Sequence, residues 1–171
     1  MTKPILFTVM NSPLGEILLA GSTQGLTHVS FQAGTSPLIP EPNWQRDEDV
    51  WATAVTQLTE YFAGERQNFD LPLAPQGTPF QQEIWRYLQT IPYGRTTTYG
   101  TIAQELGKPM ASRAVGSANG RNPIAIIIPC HRVVGSNGAL TGYAGGLQFK
   151  AALLELERNG RLDTAQQLSL L

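Results

Sequence analysis

Cys130 and His131 stand side by side in Ile126-Ile-Ile-Pro-Cys-His-Arg-Val-Val134, and Cys130 is the single cysteine of the chain. A thiolate is the strongest ordinary nucleophile a protein offers, so the pair can do nucleophilic chemistry if the sulfur is ionised and reached. A lone cysteine also serves as a small buried hydrophobe, and the apolar run before it suits that role. Two features speak for reactivity: Pro129 ends any regular ladder, and His131 and Arg132 put cationic character beside the sulfur. In an extended segment neighbouring side chains point to opposite faces, so a sulfur–imidazole contact needs a turn or a bridging water. The last helical stretch offers a third member. Glu157 follows Leu153 by four residues and Leu154 by three, which places it on a buried face. A carboxylate there needs a partner, either His131 or, alternatively, Lys150 or Arg158. If Glu157 orients His131 and His131 takes the thiol proton, the thiolate forms near neutral pH. A pKa depression of about two units, worth about 2.7 kcal/mol, is enough.

Composition narrows the remaining chemistry. One cysteine excludes an internal disulfide and any zinc site built on several thiolates, and His28 and His131 are the only histidines. No metal centre is expected. There is no charged leader followed by an apolar segment and no run of about 18 apolar residues, so a soluble, cytoplasmic protein without membrane association is expected. The net charge of −1 hides an asymmetry. Residues 1–79 carry three basic and eight acidic side chains, a net −5, whereas residues 80–150 carry seven basic and two acidic, a net +5. The excess around the cysteine suits a polyanion such as a nucleic acid, with modest, salt-sensitive affinity; ordinary fluctuation along a neutral chain is the alternative.

The elements that must position these residues fall into two units, 1–75 and 76–171. In the first, Phe7–Met10, Gly15–Ala20 and Gly25–Phe31 read as strands separated by Gly- and Ser-containing turns. Residues 33–45 read as a loop with no visible chemistry. A helix runs from Trp51 to Phe62, with Asp47, Glu48 and Asp49 at its positive end. Phe69–Leu73 could add an edge strand. The second unit opens on Thr78-Pro-Phe-Gln, an N-cap, a helical proline and a capping-box glutamine. Thr98 caps a short helix, Gly107 and Pro109 turn the chain, and Ala111–Asn119 forms the next helix, so the pair reads as a helix-turn-helix. This second helix is rich in small residues and carries one long side chain, Arg113; such a helix lets its backbone approach a partner, or packs closely on another helix. Asn137-Gly138 between β-prone flanks predicts a hairpin over 133–140. Gly142-Tyr-Ala-Gly-Gly146 lacks the spacing of a phosphate loop, and a last helix runs from Leu147 to Arg158.

Ile128-Pro-Cys-His-Arg-Val133, the loop 142–146 and a helix ending at Glu157 together resemble the O6-alkylguanine-DNA alkyltransferases. The resemblance extends to Thr78-Pro-Phe-Gln, Ile91-Pro-Tyr-Gly, Thr98-Tyr-Gly, Arg113-Ala-Val-Gly and Asn122-Pro, and is loose over 1–75. It implies an α/β (α+β) fold, with a ribonuclease-H-like N-terminal domain followed by a winged-helix-like domain. It implies direct-reversal repair: O6-alkylguanine, and O4-alkylthymine as well, flips out of double-stranded DNA and gives its alkyl group irreversibly to Cys130. By the same resemblance the helix 111–119 enters the minor groove, Arg113 fills the gap in the stack, and Tyr99 helps rotate the base and donates toward it. Ser112, Ala114, Ser117 and Arg132 would contact DNA. Val133, Tyr143, Ala144 and Gly145 would hold the base, and Asn122 would act as a hinge. Some members have serine where Ala144 stands. A monomer without cofactor is expected, and the zinc ligands of some relatives are absent. The runner-up is a non-catalytic alkyltransferase-like protein that grips damaged DNA, although such relatives replace the nucleophile. A transcription regulator lacks a sensing domain here, and a cysteine hydrolase lacks a spatial dyad.

Overall fold

The computed structural model describes residues 3–143 and 145–163. Short β-prone runs build a meander of β1 (Leu6–Ser12), β2 (Gly15–Ser22) and β3 (Gly25–Phe31), joined by tight turns, with the central β2 buried continuously from Ile17 to Ala20. Ser12 closes the first turn by donating to the Gly15 carbonyl and accepting from Leu14 N–H. A two-residue β4 (Gln45–Arg46) runs parallel to β1, giving the order β3-β2-β1-β4. Helix α1 (Ala52–Phe62) lies on this sheet through Ala54, Leu58, Tyr61 and Phe62. The acidic trio does not cap it. Asp47 instead accepts from the N–H groups of Asp49 and Val50, making a turn that ends before the helix begins, and Glu48 pairs with Arg46 and Thr8.

The free edge of β3 joins the two units. Near its start, Leu26 exchanges hydrogen bonds with Pro72 and Ala74, so Phe69–Leu73 contributes a single bridge rather than a strand. Farther along, Val29 N–H donates to the Pro123 carbonyl and the Val29 carbonyl accepts from Ala125 N–H, both at about 3 Å. The N-terminal sheet thus holds the segment that leads to Cys130.

Helix α2 (Pro79–Leu88) starts at the expected capping box: Thr78 Oγ1 accepts from Gln81 N–H, and the Gln81 carboxamide accepts from Thr78 N–H. Thr78→Ala is expected to lower stability by about 1 kcal/mol, a melting-temperature loss of roughly 2–4 °C in a thermal scan. Trp85 of α2 donates its indole N–H to the Ala118 carbonyl at 2.9 Å and so ties α2 to the following helix pair. That pair is α3 (Tyr99–Glu105), capped by Thr98, and α4 (Ser112–Gly120). The helix α5 (Leu147–Asn159) ends on Gly160 in the left-handed conformation.

The predicted hairpin over 133–140 does not form. Val133–Val134 is a two-residue strand β6, which pairs in parallel with β5 (Thr97–Thr98). Asn137-Gly138 does turn the chain, closed by Gly135 N–H to the Ala139 carbonyl. Beyond Ala139 the backbone leaves the strand, because the Thr141 carbonyl is held elsewhere, by Lys150 and Tyr99.

Candidate active site

The segment entering the site is strained. Ile126, a β-branched residue, sits at φ 71°, in the left-handed region that such residues rarely adopt. The Asn122 carboxamide spans the resulting loop: it donates to the carbonyls of Ile128 (2.7 Å) and Ile124 (3.3 Å) and accepts from Ile124 N–H (3.0 Å). Cys130-His131-Arg132 then forms one 3₁₀ turn, the turn that neighbouring sulfur and imidazole require if they are to serve one site.

Glu157 is the centre of the buried network. Its Oε2 accepts from Tyr61 (2.6 Å), from His131 Nε2 (2.6 Å) and from Arg132 Nη2 (3.1 Å). Its Oε1 accepts from Arg132 Nε (2.9 Å) and from Gly94 N–H (3.1 Å). Burial opposes ionisation of this carboxyl, but the bonds and charges of His131 and Arg132 overcome it and hold Glu157 well below the usual carboxylate range. His131 is wholly buried, and burial holds its pKa below 6.5 despite Glu157. The imidazole is therefore neutral, with Nε2–H donated to Glu157 and Nδ1 left as the base. Nδ1 has no hydrogen-bond partner among the described residues.

Arg132 is the clearest correction. Expected against DNA, it is buried, with Nη1 on the Ile91 carbonyl (2.7 Å), Nε and Nη2 on Glu157, and its plane near Tyr93. A guanidinium so engaged has no face for a phosphate. Nor does it activate the thiol: burial raises the Cys130 pKa, opposed by a hydrogen bond from Asn122 and the charge of Lys150. The resting sulfur is a thiol.

Lys150 is the residue that sequence reasoning weighed only as a partner for Glu157 and as surface charge. It is fully buried, and its Nζ donates to the carbonyls of Val133 (2.5 Å) and Thr141 (2.7 Å). Seven residues before Glu157 on α5, it holds the chain just after the Cys130 turn, where β6 begins. The Thr141 carbonyl also accepts from Tyr99 OH at 3.0 Å. Tyr99 thus bridges α4, where its ring lies over Gly116, and the loop that carries Tyr143.

Cys130 opens onto a cavity of about 240 Å³, slightly below the roughly 300–1,000 Å³ of sites for drug-sized ligands and suited to one heterocycle. Tyr143 and Gly145 line it as expected. Val133 does not; it is wholly buried with its carbonyl on Lys150, and Ala144 lies outside the described residues. The far wall comes from the N-terminal unit, through Phe31, Ser36, Pro37 and Leu38. Residues 33–45, a loop without visible chemistry in the sequence, are therefore part of the site. His28, buried enough to lower its pKa, joins this wall. Gly34 makes the contact possible: a Cβ there would fall 2.2 Å from the Gly145 carbonyl oxygen. Gly34→Ala is expected to part the two loops, cost about 1–3 kcal/mol and slow the chemistry at Cys130 several-fold in single-turnover assays.

On α4, Arg113, Ala114 and Ser117 face solvent and Ser112 is half-buried, so a surface of low bulk with one cation lies outward. Arg132 and Lys150 lie inside, and Lys108 pairs with Glu83. The outward charge of this unit therefore rests on Arg86, Arg95, Arg113 and Arg121, all exposed.

Residues 79–159 match the family described as 6-O-methylguanine DNA methyltransferase, DNA binding domain, and residues 5–75 match the corresponding ribonuclease-like domain. The chain is 54% identical over 151 residues to a methylated-DNA–protein-cysteine methyltransferase of Methanosarcina acetivorans, covering 88% of this chain and 97% of that one. The protein of the same name from Mycobacterium tuberculosis is 50% identical over 156 residues, 90% of this chain and 92% of that one. Among solved structures, Mycobacterium tuberculosis OGT in complex with DNA superposes with a TM-score of 0.88 at 47% identity, covering 95% of this chain and 99% of that one.

Proposed function

Since this chain belongs to the 6-O-methylguanine DNA methyltransferase family, we propose that it repairs O6-alkylguanine in double-stranded DNA by taking the alkyl group onto Cys130, once per molecule and without a cofactor. The observation that carries this reading is Cys130 in the wall of a base-sized cavity, followed directly by a neutral imidazole backed by a buried carboxylate.

Helix α4 enters the minor groove with its low-bulk face. Arg113 takes the place of the extruded nucleotide, Tyr99 turns the base, and Ser112, Ala114 and Ser117 meet the backbone. Extrusion costs a few kcal/mol, less for a poorly paired lesion. Tyr143 and Gly145, with Ala144 between them, hold the base opposite the N-terminal wall. His131 Nδ1 takes the Cys130 proton directly or through one water, while Glu157 stabilises the imidazolium. The Lys150 ammonium and the Asn122 amide favour the sulfur anion. Sulfur attacks the alkyl carbon in line. The carbon–O6 bond breaks with its electron pair going to the guanine, which Tyr99 eases by donating toward the purine and which ends protonated. A thioether on Cys130 has no hydrolytic exit, so the protein is consumed.

Residues 1–75 act as the brace and 76–171 as the transferring, DNA-binding unit of a monomer. We place the protein in the cytoplasm; no helix among the described residues is long and apolar enough to cross a membrane. The test is mass spectrometry after incubation with duplex carrying O6-methylguanine. One methyl on the Cys130 peptide is expected, whereas an unmodified protein that still binds would point to a non-catalytic damage binder. Arg113→Ala is expected to slow repair of duplex at least tenfold more than reaction with free O6-alkylguanine; equal losses would remove its role in the stack.

A further inference from the structure

Asn119, in the last turn of α4, is buried to 1% exposure and lines the cavity that holds Cys130. Its Nδ2 donates to the Cys130 carbonyl at 3.3 Å, which fixes the donor end of the carboxamide. The acceptor end, Oδ1, is buried with no hydrogen-bond partner among the described residues. A buried acceptor without a donor is costly, and a leucine of similar size would avoid the cost. An orphaned acceptor beside the nucleophile is explained if the occupant of the cavity supplies the donor.

The chemistry of the base identifies that donor. Alkylation at O6 leaves N1 of guanine without a hydrogen, so O6, N1, N3 and N7 all accept, and the 2-amino group is the donor on the base edge. O4-alkylthymine has lost its N3–H by the same logic and presents no N–H donor on its ring. We propose that Asn119 Oδ1 accepts from the 2-amino group of the extruded O6-alkylguanine and is a specificity-determining residue, favouring guanine lesions over thymine lesions. The inference rests on the functional reading above and adds to it the atom that distinguishes the two substrates.

The test compares single-turnover alkylation of the full chain by duplexes carrying O6-methylguanine, O6-methylhypoxanthine (the same base without its 2-amino group) and O4-methylthymine. The wild-type protein is expected to react roughly tenfold faster with O6-methylguanine than with O6-methylhypoxanthine, as one lost hydrogen bond to a buried group implies. Asn119→Leu is expected to bring that ratio at least threefold closer to one, and to narrow the guanine–thymine gap with it. A purely structural role, through the Cys130 carbonyl, would slow all three substrates alike and leave the ratio unchanged; that result overturns the proposal. So does a wild-type protein indifferent to the 2-amino group, a measurement that needs no variant to fold. A wild-type protein alkylated by none of the three duplexes would instead remove the functional reading itself.

Discussion

Cys130→Ser is expected to lower methyl transfer from duplex O6-methylguanine by at least about a thousandfold, the scale on which loss of a nucleophile is felt, while DNA affinity stays within about twofold. The two parts of the expectation come from different surfaces. In the proposed complex DNA is held by the exposed face of α4, whereas Cys130 is buried at 6% exposure. Transfer needs an anion at the reacting atom, and the site is poised narrowly even for sulfur, because burial raises the thiol pKa against the opposing pull of Asn122, Lys150 and a backbone hydrogen bond. A serine hydroxyl is far less acidic than a thiol, and a neutral imidazole with a depressed pKa is too weak a base to ionise it. The same depression sets the pH dependence of wild-type transfer: His131 accepts a proton only while neutral, so the rate holds on acidification through 6.5 and falls at lower pH. Single-turnover rates together with gel-shift affinities check both halves. Normal transfer by the serine variant would sink the nucleophile assignment, and a parallel loss of binding would mean that Cys130 shapes the DNA face.

The pairing of His131 with Glu157 was legible in the sequence because it depends on two local spacings. Cys130 and His131 are neighbours, and helical periodicity alone puts Glu157 on the buried face of α5. What completes the site is carried by contacts of long range. Tyr61 reads as one residue of an apolar stripe, yet its hydroxyl reaches Glu157 across 96 positions of sequence. Lys150 and Asn119 look like ordinary polar residues of surface helices, since nothing local signals that α5 begins beneath β6 or that the end of α4 meets the Cys130 carbonyl. Arg132 misleads for the opposite reason: an arginine next to a cysteine suggests a phosphate contact, and only the position of Glu157 turns it inward. The two units themselves follow from hydrophobic periodicity and from the cap at Thr78. The seam between them does not, because parallel pairing of Val29 with Ile124 joins segments with no common pattern. For that reason the N-terminal unit looks inert in sequence and yet forms a wall of the cavity.

Glu157→Gln is expected to destabilise the fold by about 3–5 kcal/mol, the usual cost of breaking a buried ion pair from one side. In a chain of this size that corresponds to a melting temperature lower by roughly 10 °C. The amide keeps the shape but removes the charge, leaving the Arg132 guanidinium without a counter-ion at 6% exposure and turning one acceptor oxygen into a donor that faces His131 or Arg132. Replacing Arg132 by Met in the same chain removes the stranded cation, so the double variant is expected to regain part of the loss. Acid unfolding gives a second, independent reading. In the wild type both His131 and Glu157 are held below their ordinary values of 6.5 and 4.5, so the unfolded chain binds protons first as the pH falls. The stability they confer is complete above about 6.5, declines first as His131, together with His28, favours the unfolded state, and declines again below about 4.5 through Glu157. Without the carboxylate the lower of these two losses disappears. Denaturant unfolding at pH 7, 5 and 3.5 therefore separates the variants, with the wild-type advantage over Glu157→Gln shrinking toward the acid end. A glutamine variant within about 1 kcal/mol of wild type at pH 7, with an unchanged acid limb, would show that solvent reaches this carboxylate and that His131 is oriented by something other than a buried charge.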